Sequence, residues 1–294
     1  MMFNFCLKEF IIIINNKKMA ISAQEVNKLR QMTGSGMMDC KKALVEADGD
    51  FDKAIEFLRK KGQKVSASRA DRETSEGIIF TKTSEDGSKG VLVAFTCETD
   101  FVAKNDAFIA LGEEILSCAF DHEPADIDAL KAHKMGELTL GEKIIENTGK
   151  IGEKLEISSY EILKSEGVVS YIHSNKKLGV LVGLGHTNGA AIKDAGRDVA
   201  MQIAAMNPVA VNKDSVDPSI IEKEIEIGKD QARQEGKPEA IIEKIAMGKL
   251  NKFFSENTLM GQKFVKDNSM TIAQYLDNVS KGMTVTEFKR ITIG

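Results

Sequence analysis

Cys6, Cys40, Cys97 and Cys118 are the only thiols in the chain, and His122, His133, His173 and His186 the only imidazoles. These are the residue types from which metal sites and nucleophilic dyads are made. No two cysteines form a CxxC pair and no two histidines stand at HxxxH spacing, so zinc and disulfide frameworks are disfavoured. Cys40 and Cys97 sit inside apolar patterns, where a thiol is a small hydrophobe far more often than a nucleophile. A thiol enzyme using Cys97 or Cys118 with His173 is a remote reading. The carboxylates lie among lysines on polar faces, which suits solvation better than general acid–base work. There is no GxxxxGK[ST] phosphate loop and no GxSxG elbow, and Gly183-Leu184-Gly185-His186 lacks the spacing of a dinucleotide fingerprint. Gly34-Ser35-Gly36 is better explained as a turn before a helix. No active site, metal or cofactor is expected, and the chain is read as a non-enzyme.

Two clusters offer contact in place of catalysis. Thr99-Asp100-Phe101-Val102-Ala103-Lys104-Asn105-Asp106 follows the run Gly90 to Cys97, in which Val91, Val93, Phe95 and Cys97 alternate with Leu92, Ala94 and Thr96. That alternation suits a short strand buried on both faces. Downstream, Phe101, Val102, Phe108, Ile109, Ile115, Leu116 and Ala119 recur at helical spacing, and Thr99 or Asp100 is positioned to cap the helix. Phe101 then falls in the first turn, either opening the apolar stripe of the core, which the pattern alone favours, or standing clear as a probe. Met37 and Met38 follow a glycine turn on a first helical turn, so either both pack inside or at least one faces outward as a docking thioether.

The octet, together with Met32-Thr33-Gly34-Ser35-Gly36-Met37-Met38-Asp39-Cys40-Lys41-Lys42-Ala43-Leu44, resembles the translation elongation factor Ts family. The resemblance runs from about Met19 to Gly294. It implies a factor that binds the GTPase elongation factor Tu and accelerates its release of GDP, with the Asp-Phe pair pushing against the nucleotide site. That role passes to Asp100 and Phe101, flanked by Thr99 and Val102. The resemblance also implies that Met37, Met38, Asp39 and Lys41 contact the GTPase domain. Through the triplet Tyr171-Ile172-His173, it makes His173 a further contact. Some members carry another helical module after the last strand, and its contacts are not carried over to a chain that ends at Gly294.

Length and charge bound the rest. The 294 residues, 42% apolar, suffice for two or three domains with real cores. Acidic residues outnumber basic ones, 44 to 40, and no dense basic block stands out, which argues against nucleic acid as a partner. Phe10 to Ile14 is short for a signal segment and well below the ~20 apolar residues of a membrane span, so no membrane partner is expected. Cysteine usage suits the reducing cytoplasm. Met19-Ala20-Ile21-Ser22 reads as a natural start, and Met1 to Lys18 as a non-native or disordered extension.

The elements that must position these clusters follow from periodicity and punctuation. Residues 19–62 read as three short helices: Ser22 with Glu25 forms a capping box for the first, Ser35 caps the second, and Asp50 caps a third ending at Gly62. This looks like a ubiquitin-associated (UBA-like) bundle. Residues 63–75 form a charged linker or helix extension. An internal duplication follows, in which Glu76-Gly77-Ile78-Ile79 recurs as Glu166-Gly167-Val168-Val169 and Gly90-Val91-Leu92-Val93 as Gly179-Val180-Leu181-Val182. The hairpins turn at Ser84 to Ser88 and His173 to Lys177, and helices Asp100 to Phe120 and Ala190 to Met206 cover them. The core thus divides into 76–160 and 161–294. Within the second half, two antiparallel helices at about 218–257 make an inserted hairpin, with Pro238 at the first position of the return helix. Thr271 to Val279 reads as a helix and Thr284 to Ile293 as a closing strand. The fold class is α+β: a UBA-like bundle, then a duplicated antiparallel-sheet-plus-helix core with an inserted helical hairpin. A homodimer through the second half or the hairpin is a further expectation, and an adaptor whose bundle is the business end is the rival function.

Overall fold

The computed structural model describes residues 21–294, and the expected extension Met1 to Lys18 lies outside them. The chain is α+β and divides into two compact units. Lys134–Leu155 groups with the residues up to Thr74, and Ser75–His133 groups with Glu156–Gly294. Among the described residues no helix is long and apolar enough to cross a membrane.

The first unit opens with helices α1 (Ala23–Thr33), α2 (Met37–Glu46) and α3 (Phe51–Ser68). Ser22 and Glu25 form the reciprocal capping box that starts α1, and Asp50 caps α3. Ser35 does not cap α2. Gly36 holds the cap position, and Ser35 is buried beneath the turn. Val26, Leu29, Cys40, Ala43, Leu44, Ala47 and Ala54 make the shared core. α3 does not stop at Gly62, which is buried in mid-helix, because a second helix crosses there. Thr139 caps α7 (Leu140–Ile151), and a Cβ on its Gly149 would stand 2.4 Å from the Gly62 Cα. Gly62 permits a close crossing and does not terminate the helix.

The second unit is built on two three-stranded sheets. One has the order β1 (Glu76–Thr83), β2 (Lys89–Cys97), β5 (Leu155–Lys164). The other has the order β10 (Thr284–Thr292), β7 (Leu178–Gly185), β6 (Gly167–Ile172). β1 pairs antiparallel with β2, and β7 antiparallel with both neighbours. Ile79, Leu92, Ala94, Leu163, Val168, Leu181, Ile291 and Ile293 form one cluster shared by the two sheets. On its opposite face β2 packs Phe95 against Phe108 of α5 (Asp106–His122), ring centroids 4.5 Å apart. β7 turns Val180, Val182 and Leu184 toward α8 (Ile192–Met206) and α11 (Ile272–Val279). Both central strands are thus buried on both faces, as their apolar runs require.

The first strands of the two repeats match one residue out of step with their sequence likeness, whereas Gly90 to Val93 and Gly179 to Val182 correspond in register. Ile79 N–H donates to the Lys176 carbonyl at 2.8 Å, and Val168 N–H to the Gly87 carbonyl at 2.6 Å, so Ile79 corresponds to Val168 and not to Val169. The turns agree in detail: Asp86 accepts from Ser88 N–H and Asn175 from Lys177 N–H, both at 3.0 Å. Backbone pairing overrides side-chain similarity because a one-residue slip would turn each buried face outward. Two further helices, α9 (Pro218–Gln234) and α10 (Glu239–Asn257), follow α8. Pro218 opens α9 at its first positions, whereas Pro238 sits at the cap of α10 and not at its first helical residue.

Candidate functional site

The corner after β2 is fixed from inside. Buried Cys97 donates its thiol to the Thr99 carbonyl at 3.2 Å, and the same carbonyl accepts from Ala103 N–H at 3.2 Å. This closes a single helical turn, α4 (Asp100–Ala103). Ala103 is buried, and a residue two positions earlier on a helix points about 200° away from it. Phe101 is accordingly thrown outward and is 80% exposed. Half-buried Val102 ends the turn, its carbonyl accepting from Asn105 N–H at 2.9 Å.

The continuous helix expected from Asp100 to Phe120 is therefore interrupted. α5 begins afresh at Asp106, capped by Asn105, whose side chain accepts from Ala107 N–H at 2.8 Å. Thr99 holds the N-cap position of the short α4, without a side-chain cap bond, and neither it nor Asp100 caps α5. Asp100 instead pairs with Lys104 at 2.7 Å, and that hydrogen bond holds its carboxyl below the usual carboxylate range. An exposed pair of this kind contributes little stability, so its effect is on orientation. Lys177 adds a smaller attraction to Asp100 and itself pairs with Glu76 at 2.7 Å.

Glu76 lies opposite Cys97 at the end of β2, so its ion pair with Lys177 marks where the second hairpin's turn packs beside the corner. His173 begins the turn, exposed, with its Nδ1 2.9 Å from the Tyr171 hydroxyl. The Asp100–Phe101 corner and the His173 turn thus lie at one end of the second unit, a juxtaposition that no spacing in the sequence signals.

In the first unit, Gly34 adopts a left-handed conformation (φ 69°) that reverses the chain between α1 and α2. Thr33 Oγ1 donates to the Leu29 carbonyl at 2.8 Å and accepts from Ser35 N–H at 3.3 Å, while the Cys40 thiol donates to the Ser35 carbonyl. On this locked turn Met37 and Met38 are 55% and 73% exposed, and Lys41 is exposed. Asp39 is half-buried and ion-paired with Lys61 of α3, so its carboxylate is already engaged.

The remaining chemistry-bearing residues have structural surroundings. Cys40, Cys97 and Cys118 are buried, and burial together with Asp121 pushes the Cys118 thiol up, the reverse of nucleophile activation. Cys6 lies outside the described residues. His122 and His133 stack with ring centroids 3.9 Å apart, a contact their sequence spacing does not suggest. Among the described residues no group of three or more His, Cys, Asp or Glu is placed to hold a metal ion. What the arrangement offers is an outward aromatic ring on a hydrogen-bonded turn of one unit and an apolar helix corner on the other.

Comparison with known proteins gives a consistent result. The family model described as Elongation factor TS matches residues 98–294. An elongation factor Ts of Amoebophilus asiaticus is 55% identical over 276 residues, covering 94% of this chain and 100% of the relative. That of Cytophaga hutchinsonii is 58% identical over 274 residues, covering 93% and 99%. That of Christiangramia forsetii is 50% identical over 274 residues with the same coverage. With the family model spanning well over half of the chain and such relatives matched over nearly their whole length, the chain belongs to the elongation factor Ts family.

Proposed function

We propose that this chain is the guanine-nucleotide exchange factor of elongation factor Tu in translation elongation, with Thr99, Asp100, Phe101 and Val102 as the element inserted beside the nucleotide site. The observation that carries the reading is Phe101, an 80% exposed ring held out by a buried Ala103 two residues on. Single exposed apolar residues are ordinary, but at 80% Phe101 is the most exposed large apolar side chain among the described residues, and it is an aromatic ring. A binding partner accounts for it.

The mechanism follows from linkage. A factor that binds the nucleotide-free GTPase more tightly than the GDP-bound form weakens GDP by the same factor that GDP weakens it. Mg²⁺ beside a bound phosphate demands near-ideal octahedral geometry, so a ring that shifts its surroundings by about an angstrom lowers nucleotide affinity. Met37, Met38, Asp39 and Lys41 serve as the second contact, with the methionines as anchors and Asp39, already paired to Lys61, as a brace. His173 is a third contact, supported by the Lys177–Glu76 ion pair, which sets its turn beside the end of β2 from which α4 follows. No bond is made or broken by the factor itself.

The same reading takes α1 to α3 as a UBA-like bundle, the two sheets with their covering helices as a duplicated core, and α9 with α10 as an inserted antiparallel hairpin of coiled-coil kind. A Cβ on Gly228 would lie 3.1 Å from the Ala246 Cα, which supports close packing of α9 on α10. Exposed Ile227, Ile241 and Met247 on these helices support a homodimer contact there. The buried free thiols suit the cytoplasm. The adaptor reading is not favoured, because the family match at residues 98–294 lies outside the bundle that reading requires.

Release of a fluorescent GDP from purified elongation factor Tu tests the function. Acceleration that saturates with the concentration of this chain is expected, and unchanged release would overturn it.

A further inference from the structure

Among the described residues of the first unit, four large apolar side chains are exposed: Met32, Met37, Met38 and Phe57. Scattered exposed apolar residues are ordinary on any surface. Three of the four are methionines that flank a single interhelix turn. Met32 lies in the last turn of α1, Met37 and Met38 open α2, and only Thr33 to Gly36 separates them. Met32 is 58% exposed, as open as Met37.

On this basis we infer that Met32 is a third anchor of the docking surface formed by Met37 and Met38, and that the three thioethers together engage an apolar patch on the GTPase domain of elongation factor Tu. The inference rests on the exchange-factor reading and adds to it a residue outside the Met37 to Lys41 cluster. Two features argue for a built surface. The turn between the helices is locked by the Thr33, Ser35 and Cys40 bonds and by the Asp39–Lys61 ion pair, so the positions from which the three side chains project are fixed in advance. Preorganisation of this kind reduces the ordering cost of binding. Methionine also keeps three rotatable bonds and a polarisable sulfur, which suits an apolar contact whose final fit is adjusted on docking.

Met32 lies beside the buried Val26 and Leu29 stripe of α1 and not within it, so substitution there leaves the bundle core intact. The test uses the full chain with Met32→Ala, Met32→Leu and the Met37→Ala/Met38→Ala pair, reading stimulated GDP release against factor concentration alongside thermal unfolding. Met32→Ala is expected to raise the half-saturating concentration about three- to tenfold, with melting temperature and saturating rate unchanged, while Met32→Leu stays near wild type. Combined with Met37→Ala, the shift is expected to be non-additive, as for residues sharing one contact. A wild-type titration for Met32→Ala beside a shifted Met37/Met38 pair would overturn the inference alone. Wild-type titrations for all variants would overturn the docking reading with it. A lowered melting temperature that accounts for the whole shift would return Met32 to a structural role.

Discussion

Gly90 and Gly179 are reciprocal partners across the interface between the two sheets. A Cβ on Gly90 would come within 2.8 Å of Leu181 and Val168, and one on Gly179 within 2.7 Å of Ile79 and 3.1 Å of Leu92. Each repeat therefore lays its own glycine on the other's leucine and first-strand aliphatic residue. Alanine at either position overpacks the shared cluster, at a cost of about 1–3 kcal/mol. Denaturant unfolding of Gly90→Ala and Gly179→Ala should give similar losses of stability. A loss at one and none at the other would show that the two halves do not share this interface equally.

Glu123 accepts hydrogen bonds from Lys164 and Lys89, which hold its carboxyl down to about 2. Because the folded value lies below the ordinary 4.5, the pair of contacts stabilises the fold above that pH, and the contribution fades as pH falls from about 4.5 toward 2. Glu123→Gln should be less stable than the parent at pH 7, with the difference shrinking across that acid window in pH-dependent melting curves. A difference that stays constant down to pH 2 would contradict the assignment.

Met37 and Met38 should govern affinity and not the maximal rate. Replacing each by Ala removes apolar contact worth on the order of 1–2 kcal/mol if fully covered by the GTPase. The double variant should shift the exchange titration to higher factor concentration and reach the same plateau. An unshifted midpoint would return both residues to plain surface.

The α+β class and the two β-hairpins are legible because alternation and turn chemistry are local signals, whereas the exposure of both Met37 and Met38 is not, since adjacent apolar residues on a first helical turn fit either side. Gly62 was not, since a glycine that ends a helix and one that admits a crossing helix look alike until Gly149 is known to lie against it. The break between α4 and α5 was obscured because the apolar period runs on through Phe101, Val102 and Phe108, although Asn105-Asp106 carries an ordinary cap signal. β5 has no clear signal in the sequence, because Ser158, Ser159 and Glu161 interrupt its alternation. The likeness of the two first strands falls one residue out of step because Glu-Gly followed by two aliphatics matches well there, while the Gly90 and Gly179 motifs correspond in register. The approach of the His173 turn to Asp100 depends on the packing of two sheets and has no local signature.

Phe101→Ala tests the central claim most directly, provided that stability and exchange are measured on the same protein. Phe108, stacked on Phe95 and fully buried, is the contrast: its truncation should cost roughly 3–5 kcal/mol and lower activity by unfolding the chain. Phe101 is exposed, so its truncation should leave the melting temperature and the half-saturating concentration close to wild type. Stimulated GDP release should then slow by about tenfold, equivalent to roughly 1.4 kcal/mol of lost transition-state stabilisation. A Phe101→Ala protein that keeps both the wild-type melting temperature and the full rate of GDP release would contradict the account.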